Sequence, residues 1–142
     1  ALAPGVLATT GTESAELIAA AVRQVQPDAV IAVDAVAARG AERVCAAVQL
    51  STAGITPGSG VGNARTAIDR TTLGVPVLAI GAPTVMDLGG YGTKEGTIPD
   101  GMILTPRDID AKIRLLGRWI GLGIDLALHE GLDVETAESF LA

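Results

Sequence analysis

Apolar residues recur along the first third of the chain in two different patterns. Thr10 and Glu13 form a T-x-x-E pair that predicts a capping box, and apolar residues follow at helical spacing until Pro27. Residues 29–33 are then a continuous apolar run with β-branched members. Such a short run after a helix predicts a buried parallel strand, which we expect to end at Asp34.

The rest of the chain alternates between short apolar runs and glycine-rich stretches. Residues 46–50 and 75–80 are predicted to be a second and a third strand. The glycine-rich stretches 51–65 and 81–101 are predicted to be loops. Thr105 is predicted to cap a long amphipathic helix near the end of the chain. This order favours an α/β fold, a three-layer sandwich with a mostly parallel sheet.

Length and composition fit one folded domain. The chain has 142 residues, of which 49% are hydrophobic and 18% charged, so we expect a single α/β domain over residues 1–142. It starts with Ala1 and an apolar segment, which suggests a piece of a longer chain or a processed product, lacking an N-terminal segment of the full protein.

Charge and residue usage argue against several classes of function. The formal net charge is -6 and no window is rich in Lys or Arg, so nucleic acid is not expected as a partner. No apolar stretch is long enough to cross a membrane. Cys45 and His129 are each alone, so no thiolate or His-based metal site is expected. We expect a cytoplasmic protein without a cofactor.

Asp34 is the strongest candidate for chemistry. It follows the most clearly predicted strand, and ligands of open α/β sheets bind beyond the carboxyl ends of strands. Its neighbours Val33 and Ala35 are apolar, so low polarity should raise the pKa of the carboxyl group and suit it to proton transfer. The alternative is an aspartate that only caps a loop.

A glycine-rich loop is the candidate substrate-binding segment. It contains G-x-G-x-N but no following Gly-Lys-Ser/Thr, so a nucleotide site is not favoured. Its bare backbone amides could face a substrate, or its glycines could serve turn geometry alone. The candidate residues are Gly58, Ser59, Gly60, Gly62 and Asn63.

Two further positions are candidates for a supporting role. Arg39 could orient a carboxylate, although a solvated ion-pair cluster with Glu42 and Arg43 is the usual outcome of such spacing. Asp87 follows the third predicted strand and is the other acid just beyond a strand end. It is therefore a candidate second acid beside Asp34.

Several segments together resemble one protein family. In chain order they are APGVLATTGTE (3–13), PDAVIAVDAVAAR (27–39), GITPGSGVGN (54–63), TLGVPVLAIG (72–81), MILTPRDID (102–110) and ALHE (127–130). They span most of the chain in the family's order. They resemble the germination proteases, endopeptidases that cleave small acid-soluble spore proteins during spore germination.

The resemblance implies a fold similar to the phosphorylase/hydrolase-like hydrogenase maturation proteases. It also implies a zymogen that processes itself, a homo-oligomer and a location in the spore core. Of two aspartates thought essential in the family, the resemblance places one on Asp34, while the segment that holds the other has no match here. The stretch 88–101 is also shorter than in longer family members.

This departure leaves several interpretations of the site open. The second acid could come from a missing segment, from another chain or from Asp87, and otherwise this chain alone would be inactive. A second hypothesis is a metal-assisted peptidase that uses Asp34, Asp87 or Glu42 as oxygen ligands. A third is a sporulation protein with the fold but without catalysis.

Overall fold

The computed structural model describes residues 1–62, 64–89, 92–93 and 96–140. Contacts divide the chain into two compact units, Ala1–Thr105 and Pro106–Ala142, and the expectation of one domain stays a prediction. The first unit holds α1 (Leu7–Thr10), α2 (Ser14–Val25), α3 (Arg70–Leu73), β1 (Val30–Ala38), β2 (Gln49–Ser51), β3 (Val77–Asp87), β4 (Gly92–Thr93), β5 (Gly96–Thr97) and β6 (Ile103–Leu104). The second holds α4 (Ile109–Leu128) and α5 (Val134–Ser139).

The main sheet is open and mixed. β1 lies parallel to β3, whereas β2 and β6 lie antiparallel to β3, and β4 pairs with β5 in a separate two-stranded sheet. The α/β class is confirmed, and the mostly parallel sheet is corrected to a mixed one. The three-layer arrangement stays a prediction. β1 is an edge strand, because among the described residues only β3 pairs with it.

The core of the first unit lies between α2 and one face of the sheet. Ala15 of α2 is buried with Ile68, Leu73 and Val77. Apolar side chains along the same helix face, with Val30 and Ala32 of β1, pack against this cluster. The helical spacing of the apolar residues thus correctly predicts α2, since it places one apolar face of the helix against the sheet.

Two strands run further than the sequence predicts. β1 continues through Asp34 to Ala38, and β3 continues to Asp87 through residues that the sequence assigns to a loop. The two strands stay in register from Val30 to Val36. A bulge then follows, because Val36 pairs with Pro83 and Ala37 with Val85, which leaves Thr84 unpaired. Asp34 is therefore inside a strand rather than at its end.

The predicted helix caps are wrong in detail. Thr10 is the last residue of α1, which ends at Gly11 in the left-handed region with φ of 70°. Glu13 is the N-cap of α2, with no hydrogen bond from its side chain to the first turn. The Thr105 hydroxyl donates to the carbonyl of Thr84 over 3.0 Å, and Asp108 is the residue that precedes α4. Among the described residues, no helix combines the length and apolar character needed to cross a bilayer.

Candidate functional site

Asp34 lines the large cavity of the first unit. The cavity has a volume of about 790 Å³. Its walls are the N-terminal segment, α2, Ala29, residues 30–35 of β1 and parts of the loop between Ile55 and Ile68. Asp34 lines this space although it lies in the middle of a strand. The expected position beyond a strand end is wrong, but the residue does face a cavity.

The local environment favours the protonated form of Asp34. Burial raises the pKa of the half-buried carboxyl group from its ordinary value. The backbone N–H of Ala35 donates to Oδ1 over 2.8 Å, which lowers the same pKa and offsets part of the effect of burial. No other titratable group contributes to the shift of this pKa. The carboxyl group is therefore tuned by desolvation, as sequence analysis predicts from its apolar neighbours.

The strand beside Asp34 presents a glycine. Asp34 is paired with Gly81 of β3, so no side chain stands on β3 at that level. A Cβ atom added at Gly81 would lie 3.1 Å from both γ-carbons of Val36, which is tighter than ordinary packing. Gly81 therefore lets the Val36 side chain lie over β3 next to Asp34.

The glycine-rich loop is held against β1 by a close contact. Gly60 belongs to a 3₁₀ turn, Ser59–Val61, and a Cβ atom added to it would lie 2.6 Å from the Cβ of Ala37. Glycine is thus needed for the turn to pack on the strand. Gly58 precedes the turn with φ of 74° and lines the cavity of Asp34.

The other predicted loop residues do not share that cavity. Ser59, Gly60 and Gly62 are absent from its lining, and Gly62 lines a second cavity instead. Asn63 lies outside the described residues. The substrate-binding role of these residues stays a prediction, and Gly58 is the member of the set that the structure brings to Asp34.

The cavity wall contains an ion pair that the sequence does not predict. Nη1 of Arg65 lies 3.2 Å from Oε1 of Glu13, and both residues line the cavity. The partners are 52 residues apart, and the local pattern around Glu13 predicts a capping box, so no local pattern indicates the pair. Glu13 and Asp34 are the acids of the described chain that line this cavity.

Asp87 lies far along the sheet from Asp34. The register pairs Asp34 with Gly81, six residues before Asp87 on β3, which corresponds to about 20 Å of strand. Asp87 lines the second cavity, of about 310 Å³, together with Asp100. Its Oδ1 accepts from the backbone N–H of Gly89 over 2.8 Å. The structure does not bring the two predicted acids together.

The remaining candidates do not gather around Asp34. Arg39 is exposed, and neither it nor Glu42 forms an ion pair within the part of the chain that the structure describes. In the same part, no group of three or more His, Cys, Asp or Glu side chains is arranged to hold a metal ion. The oxygen ligands of the metal-assisted hypothesis, Asp34, Asp87 and Glu42, therefore do not form one site.

Comparison with known proteins identifies the family. Residues 1–99 match the family model described as "Germination protease". The chain belongs to the germination protease family. It is 33% identical over 178 residues to the germination protease of Clostridium tetani, covering 99% of this chain and 55% of that protein.

Two further relatives of this chain are also germination proteases. The chain is 37% identical over 170 residues to the germination protease of Caldanaerobacter subterraneus subsp. tengcongensis, covering 93% of this chain and 52% of that protein. With the germination protease of Bacillus subtilis it is 55% identical over 87 residues, covering 61% of this chain and 24% of that protein. The chain thus spans about half the length of the curated relatives it matches over nearly its whole length.

Proposed function

We propose that this chain carries the water-activating acid of a germination endopeptidase, and that this acid is Asp34. The supporting observation is a half-buried carboxyl group with a raised pKa on the wall of a large cavity, in a chain of the germination protease family. A carboxylate whose pKa lies closer to neutrality is a better general base than an exposed aspartate. The cavity size is within the range of protein ligand sites, which is roughly 300–1,000 Å³.

The proposed chemistry is hydrolysis of a peptide bond. Ionised Asp34 takes a proton from a water molecule while the water oxygen attacks the carbonyl carbon of the peptide. The C–N bond then breaks, and the proton passes to the departing amine. The Ala35 N–H, which now donates to Asp34 Oδ1, holds the orientation of this carboxylate.

A second acid would assist departure of the amine, and its source is part of the proposal. Asp87 is disfavoured by its position about 20 Å along the sheet. Glu13 shares the cavity with Asp34 but is paired with Arg65. We therefore assign the second acid to a segment or subunit outside these residues, as the family resemblance suggests.

The finer features of the proposal follow the family. Small acid-soluble spore proteins are the proposed substrates, cleaved in the spore core by a homo-oligomer that is activated from a zymogen. Nucleic acid is not proposed as a partner, because the chain has an acidic balance with a formal net charge of -6.

The test is cleavage of a purified small acid-soluble spore protein, followed by mass spectrometry of the products. Loss of a general base typically costs about 10²–10⁴-fold in rate, so we expect Asp34→Asn to lose cleavage by that factor. Asp87→Asn is the matched control and should stay within about threefold of the original rate, since its carboxylate lies in another cavity. Undiminished cleavage by the Asp34 variant would exclude the proposed role.

A non-catalytic binding module is the second candidate. It is favoured by the absence of Asp87 from the cavity and by the ion pair that engages Glu13. A protein of this kind would bind the spore protein with the same affinity whether position 34 is Asp or Asn, and would release no fragments. Fragment release that depends on Asp34 would exclude it.

A further inference from the structure

Gly81 of β3 has a paired residue on each side of it in the sheet. It pairs with Asp34 of β1 in the parallel ladder and with Gln49 of β2 in the antiparallel ladder. The three residues therefore form one row across three strands, with the glycine in the middle. Both pairings lie within the described chain, so the order of this row does not depend on what covers either face of the sheet.

The side chains of Asp34 and Gln49 stand on the same face of the sheet. A Cβ atom added at Gly81 would lie 3.8 Å from the Cβ of Gln49 and 3.1 Å from both γ-carbons of Val36. Gln49 and Val36 therefore share the face to which a side chain at Gly81 would point. Val36 follows Asp34 by two residues in β1, and side chains two residues apart along a strand point to the same face.

The glycine leaves a gap between the two polar side chains. Neighbouring strands lie about 4.8 Å apart, so the backbones of Asp34 and Gln49 are separated by about 10 Å. No β3 side chain fills the row between them, and the methyl groups of Val36 border the gap from the next residue pair along the ladder. The gap thus has a carboxyl group on one side, a carboxamide on the other and an apolar border.

The chemistry of Gln49 complements that of Asp34. A glutamine carboxamide offers two N–H donors and carries no charge at any working pH. Amide donors that are aimed at the position where negative charge develops stabilise the oxyanion formed when a nucleophile attacks a carbonyl group. Within the described chain, no hydrogen bond of the Gln49 side chain is found, so its amide is not committed to another group. The alternative is a solvated side chain without a role in the reaction.

We propose that Gln49 is a catalytic residue of this site, and that its side-chain amide donates to the oxygen of the scissile carbonyl, across Gly81 from Asp34. This inference rests on the proposed function and adds to it the group that stabilises the oxyanion. The carbonyl lies in the gap over Gly81, where a larger residue would stand in its place.

The proposed step assigns one role to each side of the gap. The water oxygen forms a bond to the carbonyl carbon while Asp34 takes one proton of the water, and the π electrons of the carbonyl move to its oxygen. The N–H of Gln49 stabilises the negative charge on that oxygen. The carbonyl then re-forms, the C–N bond breaks, and the amine nitrogen takes the proton from Asp34.

Substitution of Gln49 in the full-length protein tests this role through cleavage kinetics. We expect Gln49→Ala to lower kcat for a purified small acid-soluble spore protein about 10²–10³-fold, the usual cost of a lost oxyanion donor, with little change in KM. Leu50→Ala is the matched control, because Leu50 is the next residue of β2, is also exposed and points to the opposite face. It should keep kcat within about threefold.

Two outcomes separate this inference from the proposed function. A kcat of Gln49→Ala that equals that of Leu50→Ala, while Asp34→Asn still loses cleavage, would overturn the role of Gln49 and leave Asp34 as the base. Undiminished cleavage by Asp34→Asn would overturn the proposed function, and with it the step in which Gln49 acts.

A second measurement does not depend on turnover. A peptide that spans the cleavage site found by mass spectrometry is made with a hydroxyethylene group in place of the scissile amide, and again with a reduced amide that has no oxygen there. Isothermal titration calorimetry should show that Gln49→Ala binds the hydroxyethylene peptide about tenfold more weakly, as loss of one hydrogen bond implies, and the reduced-amide peptide unchanged. Unchanged reduced-amide binding also shows that the variant is folded. Equal effects on both peptides would overturn the inference.

Discussion

Gly54→Ala should disrupt the backbone pairing of Ile55 with Ile68, which closes the base of the loop that carries Gly58 and Arg65 to the cavity. Ile55 and Ile68 close this loop with two backbone hydrogen bonds, of 3.0 and 2.8 Å. Gly54 has φ of +83°, and a Cβ atom there would collide with the carbonyl oxygen of Ile68 and lie 2.6 Å from the Cβ of Asp69. The left-handed backbone costs an alanine about 1–2 kcal/mol, and overpacking adds about 1–3 kcal/mol.

Gly54→Ala should therefore lower the free energy of unfolding by about 2–5 kcal/mol, a large part of a typical total of roughly 5–15 kcal/mol. Gly74→Ala is the control, because Gly74 has φ of +76° but no atom within 4 Å of an added Cβ among the described residues. It should cost only about 1–2 kcal/mol. Urea unfolding followed by circular dichroism measures both. Equal losses for the two variants would refute the claim that Ile68 and Asp69 leave no room for a side chain at Gly54.

Two further predictions concern charges in the same cavity. Because the folded pKa of Asp34 is raised, the native state binds more protons than the unfolded state. The contribution of Asp34 to stability is full below its unfolded pKa and is lost as pH rises through its folded pKa. Asp34→Asn should thus gain stability relative to the original protein as pH rises across that window in urea titrations, and a constant difference would contradict the raised pKa. For Glu13 and Arg65, a double-mutant cycle with Gln at each position should give a coupling of about 0.2–1 kcal/mol that shrinks in high salt. A salt-independent coupling above about 2 kcal/mol would show that the pair is more deeply desolvated than its geometry implies.

The sequence predicts the core elements because their patterns are local. The helical spacing in α2 and the β-branched run at the start of β1 each depend on a few neighbouring residues. The lengths of β1 and β3, in contrast, do not depend on neighbouring residues alone. Gly81 and Pro83 are typical loop residues, yet β3 runs through both because β1 lies alongside it in parallel register. Pro83 is tolerated because β2 pairs only as far as Gly81, so no strand on that side needs its missing N–H.

The same non-local pairing decides how much of the site could be predicted. The position of an aspartate at the boundary of an apolar run is enough to make Asp34 a candidate, and its raised pKa follows from burial. The proposed approach of Asp87 depended on β3 ending early, and the longer strand carries it away. The pairing of Glu13 with Arg65 depends on the closure of a loop 52 residues further along the chain, for which no sequence pattern exists.

The bond between Asp34 and the amide of Ala35 also bears on how copies of this chain, taken by itself, behave in concentrated solution. Open strand borders invite neighbouring molecules to stack through their main chains, and a charged group on the border discourages this. With one border amide already satisfied and a carboxylate standing over it, two copies meeting border to border would crowd like charges together. Neutralising that group should lower the concentration at which light scattering first detects association, so a single side chain would serve both reactivity and solubility.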